Sequence, residues 1–220
     1  MFDTQYHFVN NHLYLIFILF TGICLLQYKY KIIGFIFSLI VLLFGFLLYY
    51  TDNYSYSGLI KSYLVFILAF IIFYKLNFNW KLNVNYLLTF LLAMNVFVLI
   101  FTVMKNPFAN NYITDYFLVF CFLLLTISTP LGKVSKNNAK LTKIFMNVNL
   151  YIILYTFTLA YYFIINPNFK DHYLYLHMFA IILPFLSHFI NNKWIETRGL
   201  CLCLIFIYDI LDEKIMSFKL

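Results

Sequence analysis

The chain is nearly devoid of arginine. Lysine outnumbers it fourteen to one, and Arg198 is the single example in 220 residues. Charged residues of all kinds amount to 10% of the sequence, against about 25% in an ordinary soluble domain. Alanine and glycine are scarce as well, at six each. Small residues let membrane helices approach closely, so their shortage predicts spans that pack loosely through Phe, Leu and Ile. The four cysteines (Cys24, Cys121, Cys201 and Cys203) all sit in apolar runs, where a thiol acts as a small hydrophobe. With no C-x-x-C motif, neither a zinc site nor a redox dithiol is indicated. No basic n-region or small-x-small site accompanies the first apolar run, so no cleavable signal peptide is expected.

Catalytic signatures are missing too. The sequence contains no H-E-x-x-H, G-x-S-x-G or G-x-x-x-x-G-K-[ST] motif, and no TVGYG-like filter. The acids of residues 209–213 (DILDE) lack a second acidic cluster with which to share a metal. No metal or other cofactor is therefore expected.

What remains is overwhelmingly apolar. The sequence is 64% hydrophobic and its mean hydropathy is +0.87. The stretch YLYLHMFAIILPFLSHFI (173–190) shows the pattern: 18 residues whose only ionisable side chains, tyrosines apart, are two histidines. At ~1.5 Å per residue it crosses most of a ~30 Å hydrocarbon layer. Similar runs at 12–26, 32–50, 59–74, 86–104, 113–131, 144–165 and 199–211 predict an all-α, polytopic transmembrane bundle of about eight spans. The run 199–211 is short, and seven spans are compatible with the pattern. Loops are short, no soluble domain fits between them, and Trp80 is placed like an interfacial anchor. The Lys, Phe, Tyr, Ile and Asn usage is that of AT-rich coding DNA, as in many organelle and low-GC bacterial genomes.

The positive charges orient the chain. Lys29, Lys31, Lys75, Lys81, Lys133, Lys136, Lys140, Lys143, Lys193 and Arg198 fall in odd-numbered loops. The even-numbered loops and the tail hold Lys61, Lys105, Lys170, Lys214 and Lys219, offset by nearby acids. The odd loops are thus expected in the cytoplasm, or the matrix of a mitochondrion, with the N-terminus outside. A net charge of +7 serves here as an orientation signal, because no soluble basic face exists to bind nucleic acid.

Ionisable groups within spans are candidates for function. Asp115, His177, Asp209, Asp52 and His12 all lie toward the outer face in this topology, with Tyr112, Tyr116 and Tyr208 at similar depth. They form a candidate pocket for a cation, proton or small polar ligand. The competing reading places them at headgroup level, with the tyrosines as an ordinary aromatic belt. Haem is not expected: His177 and His188 sit near opposite ends of one helix and cannot share one. Asn95, Thr126, Ser128, Thr129, Asn147, Asn149 and Ser187 either line a path or bond between helices. Pro184 should kink its helix and free a carbonyl near residue 180.

These features favour a structural or accessory subunit of a larger membrane assembly, with lipid and other membrane subunits as partners. A small-solute or ion transporter is the alternative, and a membrane-embedded enzyme the second. The compartment is a bacterial cytoplasmic membrane or a mitochondrial inner membrane. Orientation is testable by labelling. A cysteine introduced by Asn138→Cys should resist an impermeant maleimide added outside intact cells or mitoplasts and react once the membrane is opened. Labelling from outside would reverse the assignment.

Overall fold

The computed structural model describes residues 18–49, 56–78, 81–105, 112–136, 138–166 and 171–217. Within them are eight helices and one two-stranded hairpin. The helices are α1 (Ile18–Lys29), α2 (Ile32–Tyr49), α3 (Tyr56–Asn77), α4 (Asn85–Lys105) and α5 (Tyr112–Ile127), then α6 (Val148–Ile165), α7 (Asp171–Asn191) and α8 (Trp194–Ser217). Strands β1 (Leu131–Ser135) and β2 (Asn138–Thr142) separate α5 from α6. Trp80 and most of the connection at 51–58 lie outside the described residues.

Three described segments are long and apolar enough to cross a membrane: Asn85–Met104, Val148–Ile165 and Leu174–Asn191. Only about a third of each is buried against the rest of the chain (33%, 33% and 28%). Their outward faces carry Tyr86, Phe90, Phe101, Phe157, Ile164, Leu186 and Phe189, all exposed. Such a surface needs lipid or protein against it.

Helices α2 to α7 follow one another in space, each packed on the next from α2 to α7, and α8 packs against α2, α3 and α7. From Trp194 to Phe206, α8 is buried at every position except Leu202, which is half-buried. A helix that is covered all round lies in the centre of its fold. The short run expected at 199–211 is therefore part of a 24-residue helix that begins at Trp194. Its first turn carries Glu196, and Arg198 follows. Arg198, assigned to a loop by its charge, belongs to the helix and is 6% exposed.

The run expected at 113–131 also ends early, at Ile127. Thr126, Ser128 and Thr129 turn their hydroxyls back onto the carbonyls of Phe122, Leu124 and Leu125. Pro130 follows, and a residue before proline disfavours the helical region. Thr129 also meets the hydroxyl of Tyr151 on α6, so these side chains serve both their own helix end and the next helix. The basic loop is then a hairpin, with Gly132 paired to Leu141, Lys133 to Lys140 and Val134 to Ala139. Its buried side (Gly132, Val134, Ala139) closes one end of the bundle over α3, α4 and α8. The Gly132 N–H donates to Thr89 Oγ1 at 3.0 Å. A side chain at 132 would meet Leu88 Cδ2 at 2.6 Å.

Loose packing is not found where α2, α3 and α8 meet. Phe73 is fully buried there. A Cβ added to Gly34 would sit 2.2 Å from its ring, and one added to Gly199 3.7 Å away on the other side. Two of the scarce glycines, Gly34 and Gly199, are placed where their helices close on one aromatic ring. Gly34→Ala should therefore destabilise the chain by ~1–3 kcal/mol through overpacking. Phe73→Leu in that background should recover part of the loss, which thermal unfolding in detergent will measure.

Candidate functional site

Most of the buried polar residues of the described helices gather at the hairpin end. Four connections meet there: the α1–α2 turn at Lys31, the α3 C-terminus at Asn77, the hairpin, and the α7–α8 turn. Asn77 Nδ2 donates to Lys31 O at 3.0 Å and to Phe73 O at 2.7 Å, which ties the first two together. The α7–α8 turn reverses the chain through Asn192 in the left-handed region (φ 54°), a conformation asparagine tolerates. Its N–H bonds His188 O, and the Lys193 N–H bonds Ser187 O.

Glu196 sits at the head of α8 with no exposed surface. Its Oε1 accepts from Lys193 Nζ at 3.0 Å, while Lys31 Nζ lies 3.8 Å from Oε2. Gln27 Nε2 approaches the same oxygen at 3.5 Å. A carboxylate in the first turn also meets the positive end of the helix dipole. Burial pushes the Lys31 ammonium below the ordinary lysine range, and the charge of Glu196 offsets part of that.

Beside Glu196, at the next residue of α8, three hydroxyls close a triangle. Tyr28 Oη is 2.6 Å from Ser187 Oγ and 2.9 Å from Thr197 Oγ1, and the last two are 2.8 Å apart. Counting protons gives the triangle a direction. The Tyr28 hydroxyl donates to Ser187 and that of Thr197 to Lys193 O at 3.0 Å, so Ser187 donates to Thr197. Ser187 thus joins α1, α7 and α8. Deeper still, Cys24 and Cys201 face each other with sulfurs 3.9 Å apart.

Arg198 occupies the opposite side of α8. Its Nη1 donates to Ala180 O at 2.7 Å, and its Nε to Tyr155 Oη at 3.1 Å. Ala180 is four residues before Pro184, which has no N–H to offer it. The carbonyl that proline frees is the one the guanidinium takes. The Tyr155 ring lies 5.5 Å from the guanidinium carbon and packs edge-on to Trp194, with ring centroids 5.3 Å apart. Among the described residues, no carboxylate forms an ion pair with Arg198.

Of the candidate pocket residues singled out by the sequence, Asp115 and His177 fall at the other end. Asp115 is buried in the first turn of α5 and engages a neighbouring group. His177 is half-buried in α7, its ring centroid 4.6 Å from that of Phe163. Helix α6 packs on both α5 and α7. Tyr112 and Tyr116 are 72% and 73% exposed and point outward, as an aromatic belt would. Asp209 lies in α8, its side chain beyond the description, and His12 and Asp52 lie outside the described residues. His188 bonds Asn149 Oδ1 at 2.8 Å, and Asn147 accepts from the Asn149 N–H at the start of α6. Both asparagines are exposed and fix helix ends.

Sequence reading passed over Glu196, Thr197, Gln27 and Tyr28. The available signal was W-I-E-T-R-G (194–199), which places one of two glutamates beside the sole arginine at the edge of an apolar run.

The Arg198–Ala180 bond exists because of Pro184, and a double-mutant cycle can measure that. Arg198→Leu should cost ~2–4 kcal/mol by leaving two buried oxygens without a donor. In a Pro184→Ala background the carbonyl recovers a helical N–H, and the cost should fall by ~1–2 kcal/mol. Equal costs in both backgrounds, in denaturant titrations, would separate the two residues.

In comparisons with known proteins, no family model, curated sequence or solved structure matches this chain.

Proposed function

We propose that this chain is a multi-pass integral membrane protein serving as a structural or accessory subunit of a larger membrane assembly. One observation carries the reading. The charged and hydroxyl groups around α8 are spent on fastening helix ends to each other, while the long faces of the outer helices present bulky apolar side chains. On α5 the outward stripe is Tyr112, Ile113, Tyr116, Phe117, Phe120, Leu124 and Ile127, with exposures from 44% to 77%. A face of that length and chemistry suits lipid or the helix of a neighbouring subunit. The eight helices are taken as eight spans, with odd connections in the cytoplasm or matrix and the N-terminus outside.

Transport is the second reading, supported by the burial of Asp115 at the end of the bundle that also holds His177. It would take a cation or small polar solute, and Asp115→Asn would abolish it.

Purification in mild detergent with mass measurement of the particle discriminates. The subunit reading expects fixed stoichiometric partners and a particle well above the 26.4 kDa of one chain. A lone monomer or homodimer that moves a solute in liposomes would replace it with the transport reading.

A further inference from the structure

The structure assigns the outer face of the β1–β2 hairpin as a binding surface for the anionic headgroups of the bilayer's own phospholipids. The inference rests on the membrane reading above. Strand alternation divides the hairpin into two faces. Gly132, Val134 and Ala139 lie against the bundle, while Lys133 and Lys140 point away and are exposed. The register sets these two lysines directly opposite each other. Like charges in that position repel at close range, and a hairpin gains nothing by holding them there. Lys136 at the tip and Lys143 just past β2 are exposed as well, and residues 131–143 contain no acid. Among the described residues none of these four lysines meets a carboxylate. Glu196, the acid at this end of the bundle, is already engaged by Lys31 and Lys193.

Position selects the partner. Ile144 (42% exposed) and Phe145 (75%) follow Lys143 directly, and the membrane-crossing segment Val148–Ile165 begins three residues later. Lysines beside an exposed aromatic, within a few residues of a span, lie at headgroup depth. A cationic sheet there supplies the point charges that phosphate oxygens attract, and the phosphates relieve the lysine pair's repulsion. An acidic polypeptide offers the same charge but gives no role to the outward Ile144 and Phe145.

The test uses the full chain in detergent, melted with added phosphatidylglycerol or phosphatidylcholine. The anionic lipid should raise the wild-type midpoint above the zwitterionic one by about 5 °C, and 0.5 M salt (about a 4 Å screening length) should remove most of that rise. Lys133→Gln/Lys140→Gln should weaken phosphatidylglycerol retention, read by native mass spectrometry, by roughly 25-fold, since each lysine near an anionic surface contributes about fivefold. The same variant should melt no lower than wild type in phosphatidylcholine, because the repulsion is gone. Equal midpoints in the two lipids, or full retention by the variant, would overturn the assignment. So would polyglutamate binding that the variant loses while its lipid retention is unchanged. Release of the wild-type chain from membranes by alkaline carbonate would overturn the membrane reading and this inference together. A chain that stays in the membrane but ignores headgroup charge would overturn the inference alone.

Discussion

A carboxylate without exposed surface and a guanidinium nearly so stand two residues apart at the head of the central helix. Removing an ion from water costs several kcal/mol even after the protein relaxes, so such groups persist only when their partners are fixed. Glu196 and Arg198 recruit different partners, and between them they tie α1, α6 and α7 to α8. Glu196 takes lysines from the α1–α2 and α7–α8 turns and Gln27 from α1. Arg198 takes α6 through Tyr155 and α7 through Ala180. Apolar packing alone does not distinguish one rotation of a smooth helix from another. The polar head of α8 fixes which face meets which neighbour.

Much of the architecture was legible because hydrophobic runs declare helices whatever their neighbours. The carbonyl freed by Pro184 was legible for a similar reason, since a missing N–H is a property of one residue. What receives the freed carbonyl was not, because Arg198 lies 18 positions away in sequence. Charge was the misleading signal. Lys193 and Arg198 look alike in a count of positive residues, yet one sits partly exposed in a turn and the other is buried in a helix. Arginine is the residue suited to that place, because its planar fork is less strongly hydrated and can serve a carbonyl and a phenol at once. The hairpin escaped notice because GKVSKNNAK has no strong strand former except Val134. Its pairing is imposed by the bundle end that covers Val134 and Ala139. The candidate site shifted for the same reason. Asp115 and His177 stood out as ionisable groups inside apolar runs, whereas Glu196 was hidden at the edge of one.

The two ends of the described bundle therefore differ in kind. At the hairpin end, buried ions and hydroxyls bind connections together under a basic, outward-facing sheet. At the other, Asp115 is buried and His177 is half-buried against Phe163, with Tyr112 and Tyr116 exposed. Between the ends, the outer helices show the surroundings little besides hydrocarbon and aromatic rings. A chain built this way fastens its helices at the polar head and leaves bulky apolar side chains along its flanks.

The claim on which this account turns is that α8 is the central post, with α1 seated against it. The native Cys24–Cys201 pair, sulfurs 3.9 Å apart, reports that contact directly. In a chain with Cys121→Ser and Cys203→Ser, and a protease site inserted after Asn110, copper-phenanthroline in native membranes should join the two thiols. After cleavage the halves should then run together without reductant and apart with it. Halves that separate under both conditions, in membranes where an introduced exposed pair does cross-link, would contradict the central placement of α8.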